Sequence, residues 1–254
     1  MLNGLYTATS GMLQQERRLD VISNNLANIN TVGFKKETPT FETYLREGNK
    51  FPETVIRDSL YNKTINSAVS LSHIGVDFSS GTIKETGKTL DLALSNPNAF
   101  FAIDTPFGVK FTRAGNFMLD ENRALVTQEG FKVISTNVDN NDGIIIPVGK
   151  VSIAEDGQIY VDNLPVDAIS IVEFDNLENL QKTGYNLFTA LNTLPNETDN
   201  PKVMQGYLEM SNINPLTEMV NMISSQRAFE TYQKVIRTID TLNDRAANEL
   251  GKIA

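Results

Sequence analysis

Apolar residues between Leu2 and Ile29 recur every seven positions. Leu5, Met12, Leu19 and Leu26 form one row, and Ala8, Gln15, Ile22 and Ile29 lie three residues further along. That spacing is a coiled-coil seam, and it predicts a helix of roughly 40 Å with Arg17, Arg18 and Asp20 off the seam in water. Thr31-Val32-Gly33 is expected to stop it, with Gly33 available for a left-handed backbone. A second seam opens at Asn214, a capping residue, and Pro215, which suits a first helical turn. Met222, Phe229, Ile236 and Leu250 form one row, broken by Asn243, and Tyr232, Ile239, Ala246 and Ile253 form the row beside it. Val235 and Leu242 widen the stripe of a helix about 50 Å long. Neither seam has a partner nearby in sequence, so each is expected to cover the other. The stripes are wider than one contact can cover, which favours self-association.

Between the seams the pattern changes twice. Residues 35–72, with Pro39, Pro52 and a short helical candidate at Phe41 to Leu45, read as an extended connector, because long stretches without periodicity are uncommon inside compact domains. From Ile74 to Phe174 the period falls to two. Strands are predicted at Leu90–Leu94, Phe100–Asp104, Lys110–Thr112, Phe117–Leu119, Ala124–Thr127, Gly143–Ile146, Lys150–Ile153, Gln158–Val161 and Ala168–Phe174. Asp156-Gly157 is a favoured hairpin pair. A short helix is expected over Leu177–Lys182, followed by a polar stretch from Asn192 to Pro201. The fold class is therefore α+β multidomain: N- and C-terminal helices forming a coiled-coil domain (1–34 and 213–254), an extended connector (35–72), an inserted all-β domain (73–176) and a second connector with a short helix (177–212).

One stretch is odd in this frame. Asn24, Asn25, Asn28 and Asn30 crowd the end of the first seam, although a short amide competes for backbone hydrogen bonds and is a poor interior helix residue. Read locally, this is a helix end with Asn caps. Read with the seams, the amides satisfy polar groups in a packed interface.

Composition narrows the function. With 254 residues and 40% apolar content the chain can fill real cores. A net charge of −9 and a pI near 4.7 argue against a protein whose task is to hold phosphate backbones. There is no Cys, so disulfides and thiolate metal sites are excluded. The start of the chain has no continuous apolar region or small-residue cleavage site, so no secretory signal peptide is expected. The longest apolar runs, such as Ile144-Ile145-Ile146, are far short of the roughly 20 residues of a membrane span. His73 is the single histidine, and it sits in a plain Leu-Ser-His-Ile-Gly segment. HExxH, Walker A and helix-opening GxGxxG patterns are absent. Asp139-Asn140-Asn141-Asp142-Gly143 begins like a calcium loop, but Lys150 stands where the bidentate Glu belongs. No catalytic residue, metal or cofactor is expected.

Asn24-Asn25-Leu26-Ala27-Asn28-Ile29-Asn30-Thr31-Val32-Gly33-Phe34-Lys35 resembles the N-terminal signature of the axial proteins of the bacterial flagellum, the rod and hook family, with Val32 where Pro is common. The family's C-terminal signature is matched by Gly206-Tyr207-Leu208-Glu209-Met210-Ser211-Asn212-Ile213-Asn214-Pro215, Glu218-Met219-Val220-Asn221-Met222-Ile223 and Gln226-Arg227-Ala228-Phe229-Glu230. Phe100-Phe101, Phe111-Thr112-Arg113-Ala114-Gly115-Asn116-Phe117 and Leu125-Val126-Thr127-Gln128-Glu129-Gly130 agree in the middle. Asn96-Pro97-Asn98-Ala99 departs from the glycines usual there. The resemblance implies a structural subunit, not an enzyme, that is exported unfolded through the flagellum's own type III apparatus without cleavage. It implies polymerisation with copies of itself and other rod proteins, in the basal-body rod, without nucleic acid or membrane insertion. Length and a single β domain favour the rod over the hook, and Phe41–Leu45 and Thr241–Ile253 look most like the proximal-rod member. A distal-rod or hook-like protein, or a non-polymerising flagellar adaptor, are the alternatives. The expected subunit interface comprises Leu5, Met12, Leu19, Ile22, Asn24, Asn25, Leu26, Asn28, Ile29, Met219, Met222, Ile223, Phe229, Tyr232, Ile236, Ile239 and Leu250.

Overall fold

The computed structural model describes residues 2–44, 68–137, 143–191, 193–198 and 201–250. Two helices carry the seams. Helix α1 spans Leu2–Ala27 and helix α2 spans Pro215–Leu250. The start of α2 is as the sequence requires: Pro215 gives up no hydrogen bond at the first helical position, and the Asn214 side chain accepts from the Thr217 amide at 3.2 Å.

The helices pair antiparallel. A Cβ built on Gly4 would lie 3.7 Å from Ile239 Cδ1, and one on Gly11 would lie 2.6 Å from the Tyr232 ring, so seven steps forward on α1 are seven steps back on α2. On α2 the inward line is Met222, Ser225, Phe229, Tyr232, Ile236 and Ile239, half-buried except for the buried Ser225, in the alternating three- and four-residue steps of a seam. On α1 the seam is rotated from the expected one. Ala8, Gly11, Val21, Ile22 and Asn25 are buried, whereas Leu5, Met12, Leu19 and Leu26 form a half-buried flank. Gly11 is the reason: without a Cβ it lets the Tyr232 ring lie against the helix backbone.

That contact makes the two helical glycines unequal. Gly4→Ala meets only ordinary van der Waals contact and should stabilise by about 0.5–1 kcal/mol through helix propensity. Gly11→Ala gains the same term but must displace Tyr232, an overpacking cost of about 1–3 kcal/mol. Helix-monitored thermal melts should therefore move up for the first variant and down for the second.

The chain forms two compact units. The first comprises Met1–Leu26, Glu37–Gly75 and Asn214–Ala254, and the second comprises Ala27–Lys36 and Val76–Ile213. Besides the helices, the first unit contains most of a two-stranded sheet of Lys36–Tyr44 and Ala68–Asp77. These strands replace the irregular backbone and the Phe41–Leu45 helix expected there, because Thr38, Thr40, Thr43 and Tyr44 are strand formers. The remainder of the expected connector, residues 45–67, lies outside the described residues. His73 falls within the second strand.

The second unit is antiparallel β throughout. Its largest sheet runs Leu180–Lys182, Leu187–Ala190, Gly108–Thr112, Ala99–Thr105, Lys132–Val133, Leu125–Val126, Met118–Leu119, with Ile171–Glu173 also paired to Ala99–Thr105 and bonded in turn to Asn196–Glu197. Val151–Ile153, Gln158–Val161 and Leu164–Ala168 form a three-stranded sheet, closed by the expected Asp156-Gly157 turn. Ala99–Thr105 is central because both its faces are covered: Phe101 and Ile103 enter one core, and Phe100 and Ala102 enter the other. This is what adjacent phenylalanines at a period of two produce. Phe100 sits among Phe78, Phe174 and Phe188 in edge-to-face or tilted contacts, with centroids 5.3–5.9 Å apart where rings touch.

The strands continue to Glu209, past the expected limit of 176. The helix expected over Leu177–Lys182 is a single 3-10 turn at Leu177–Asn179 followed by strand Leu180–Lys182, because a strand partner at Leu187–Ala190 satisfies that backbone instead. Gly143–Ile146 makes one isolated bridge, Ala124 to Ile145, rather than a strand. Near the end of the unit, Val203–Gln205 pairs with Leu92–Leu94 and Tyr207–Glu209 pairs with Ile83–Glu85, which returns the outgoing chain to the strands with which the incoming chain began.

Candidate functional site

The second unit is closed by three charged side chains drawn from three distant motifs. Lys35 follows the turn at Gly33, Arg113 follows strand Gly108–Thr112, and Glu209 ends strand Tyr207–Glu209. All three are 1% exposed. Glu209 Oε1 accepts from Lys35 Nζ at 2.7 Å and from the Gly81 amide at 2.9 Å, and its Oε2 accepts from Arg113 Nε at 2.8 Å and lies 2.6 Å from Nη2. Two cations against one carboxylate leave a positive charge in the interior, which backbone oxygens take up. Arg113 donates to the carbonyls of Leu94 (3.1 Å), Asn96 (2.6 Å) and Ala99 (2.5 Å), and Lys35 donates to that of Ser79 (2.8 Å). Buried charge is tolerable only when paired and hydrogen-bonded in this way.

The electrostatics follow. Burial pushes the Glu209 carboxyl up, but the Arg113 guanidinium and the Lys35 ammonium outweigh it and hold the group below its ordinary value. Burial lowers both Lys35 and Arg113, and Glu209 opposes that without cancelling it.

Backbone bonds reinforce the cluster. The Gly33 amide donates to the Glu209 carbonyl at 2.8 Å. Asn212 Oδ1 accepts from the Lys36 amide at 2.8 Å, and its Nδ2 donates to the carbonyls of Asp77 (2.8 Å) and Ser79 (3.2 Å). Residues 33–36 and 209–212 are thus tied side by side, with Arg113 as the third leg. Gly33, at φ +66°, has the left-handed backbone expected of it, but α1 has already ended at Ala27. The glycine therefore turns the chain into the cluster rather than stopping the helix.

None of these three charged residues was a candidate from sequence. The available signal was a charge set close to Gly or aromatic residues: Phe34-Lys35, Phe111-Thr112-Arg113-Ala114-Gly115 and Tyr207-Leu208-Glu209.

Two amides of the run have partners within the chain. Asn25, 1% exposed, donates from Nδ2 to the Glu37 carbonyl at 2.8 Å and accepts the Glu37 amide at 2.9 Å. It pins the last turn of α1 to the following strand, inside one chain. Asn28 Oδ1 accepts from the Thr31 hydroxyl at 3.0 Å in the turn after the helix. Of the other expected interface positions, Ile22 is buried within the monomer. Leu5, Met12, Leu19, Leu26, Ile29, Met222, Phe229, Tyr232, Ile236 and Ile239 are half-buried, and Asn24, Met219 and Ile223 are exposed. Leu250 is the last residue of α2, and its side chain lies outside the described set.

A cavity of about 310 Å³ in the second unit is lined by amides and hydroxyls, including Asn30, Asn116, Gln128 and Asn186, with Glu129 and Tyr185 as its titratable groups. Among the described residues no group of three His, Asp or Glu side chains is placed to hold a metal, and no described helix is long and apolar enough to cross a membrane. The calcium-loop segment lies, apart from Gly143, outside the described residues. An antiparallel helix pair together with a β unit locked by a buried ion cluster defines a structural subunit, whose chemistry is assembly.

Comparison with known proteins agrees along the whole chain. Residues 5–35 match the family described as flagella basal body rod protein, residues 96–161 the flagellar hook protein FlgE/F/G D1 domain, and residues 204–250 the flagellar basal body rod FlgEFG protein C-terminal family. The chain is 37% identical to the flagellar basal-body rod protein FlgG of Bacillus subtilis, over 98% of this chain and 99% of that one. It is 33% identical to FlgF of Caulobacter vibrioides over the full length of both, and 30% identical to the hook-basal body complex protein FlhO of Bacillus subtilis, also over the full length of both. The chain belongs to the flagellar basal-body rod protein family and is a structural rod subunit of the FlgG/FlgF type that assembles with other rod subunits. It is not an enzyme.

Proposed function

We propose that this chain occupies the proximal part of the rod, where it assembles helically with copies of itself and neighbouring rod proteins through α1 and α2. On this reading it arrives through the flagellar type III export apparatus with its N-terminus uncleaved. The carrying observation is that α2 has more apolar surface than α1 covers: Met222, Phe229 and Ile236 face inward, while Leu216, Met219, Val220 and Ile223 are exposed. A helix that is apolar on two sides wants two partners. Of the expected contact positions, Met219 and Ile223 act directly, whereas Ile22 and Asn25 act by fixing the chain.

Gold labelling of a tagged chain in purified hook-basal bodies should mark the membrane-proximal end of the rod, and N-terminal sequencing of the incorporated protein should begin at or next to Met1. Label confined to the distal end would overturn the proximal placement, and a complete absence of label would overturn the rod assignment for this chain. A chain lacking residues 2–27 should be missing from the particles, and its normal incorporation would remove the helices from the assembly contact.

A further inference from the structure

Each helix carries a second apolar patch on the side away from the seam, and the two patches lie at opposite ends of the pair. On α1 the patch is Tyr6 and Leu13, seven residues apart. On α2 it is Leu216, Met219, Val220 and Ile223, also spanning seven. Both are stripped of exposed charge. Residues 2–15 of α1 contain no Asp, Glu, Lys or Arg, and residues 215–226 of α2 contain only Glu218, which is buried. Charge returns immediately beyond, at Glu16, Arg17 and Arg18 on one helix and at Arg227 and Glu230 on the other. Depletion of charge around an apolar centre is the compositional mark of an interface core.

Within one chain these patches cannot meet. The Gly4–Ile239 and Gly11–Tyr232 contacts place residues 6–13 of α1 opposite residues 230–237 of α2, which leaves the 216–223 patch about 20 Å away along the helix axis at 1.5 Å per residue. We propose, resting on the rod-subunit reading, that the Tyr6/Leu13 face of one copy packs against the Leu216–Ile223 face of a second copy. The neighbour is then displaced axially by about 20 Å. Two different faces of one chain make a heterologous contact, and an axial displacement at each contact prevents ring closure, so repetition gives an open helix. The offset would thus be written into the positions of the two patches on one helix pair.

The natural chain has no cysteine, so engineered pairs report this contact cleanly. In the full-length chain Leu13→Cys with Leu216→Cys tests one end of the match and Tyr6→Cys with Ile223→Cys the other. Oxidised basal bodies from either double variant should give a ladder of disulfide-linked multimers of this chain, and the corresponding single variants should give none. Incorporation without a ladder in both pairs would overturn the proposal and leave the rod assignment standing, whereas absence of the unaltered chain from the particles would overturn the assignment itself. Dimers from a single variant would mean that one patch pairs with itself, and adducts to a different rod protein would mean that the occupant is not a second copy. Either result overturns the proposal. Val220→Glu supplies an independent reading: the monomer should melt as the unaltered chain does while incorporation falls at least tenfold, and undiminished incorporation counts against the contact.

Discussion

Replacing Glu209 by Ala is expected to destabilise the β unit by about 3–5 kcal/mol, the cost of leaving buried charge unpaired. The magnitude comes from what stays behind. Lys35 and Arg113, each 1% exposed, would face each other with only backbone carbonyls as acceptors, and the Gly81 amide would lose its carboxylate. Lys35→Met should cost less, because it leaves the Arg113–Glu209 pair intact and removes the surplus positive charge. Urea melts of the three chains should rank them in that order, and a Glu209→Ala midpoint equal to the parent's would mean that the cluster contributes nothing.

The same residue sets an acid limit. The folded Glu209 carboxyl titrates below its ordinary value of 4.5. Between the folded value and 4.5 the unfolded chain therefore binds the extra proton, and stability rises with pH there. The contribution is fully present above pH 4.5 and is lost as the pH falls through the folded value. Acid titration of the parent should show this loss, and Glu209→Gln should lack it.

Gly33→Ala is the second large effect, at about 2–5 kcal/mol, because two costs coincide. The residue would have to hold φ +66°, and its Cβ would fall on the amide of Ala114 and the carbonyl carbon of Arg113, backbone atoms that cannot swing aside. Gly87 separates the two costs. It has nearly the same angle, φ +70°, with nothing within 4 Å of a Cβ, so Gly87→Ala should show the backbone cost alone, about 1–2 kcal/mol. Chemical denaturation of the two variants gives the packing cost by difference, and equal losses would show that the close approach to Ala114 adds no cost.

The helices and most central strands could be read from the sequence because their signals are local and periodic. Met222, Phe229 and Ile236 keep their spacing whatever they touch, and Phe100 and Phe101 must point to opposite faces of any strand. Failures came where a distant partner decides. Leu180-Gln181-Lys182 is strand only because Leu187–Ala190 lies beside it, and the α1 seam turns only because Tyr232 finds Gly11. The ion cluster depended on partners most of all. Lys35 and Glu209 are 174 positions apart, and nothing near either of them in sequence says that the charge will be buried. Asn25 shows the opposite limit: its oddity was visible, but its partner, the backbone of Glu37, could not be told from a partner in another chain.

The bond from the Gly33 amide to the Glu209 carbonyl also bears on exchange. The outgoing chain leaves the β unit one hydrogen bond from where the incoming chain arrived, and Asp77, where the chain returns after residues 37–75 of the first unit, accepts from Asn212 Nδ2 at the same place, so Asp77 to Glu209 is a cassette with adjoining ends. Its interior can be enlarged, trimmed or swapped without altering the distance the flanking segments must span. A foreign module spliced between Asp77 and Glu209 leaves residues 37–75 in the first unit, and it needs to bring its own termini equally close and to supply a cation to Glu209 in place of Arg113.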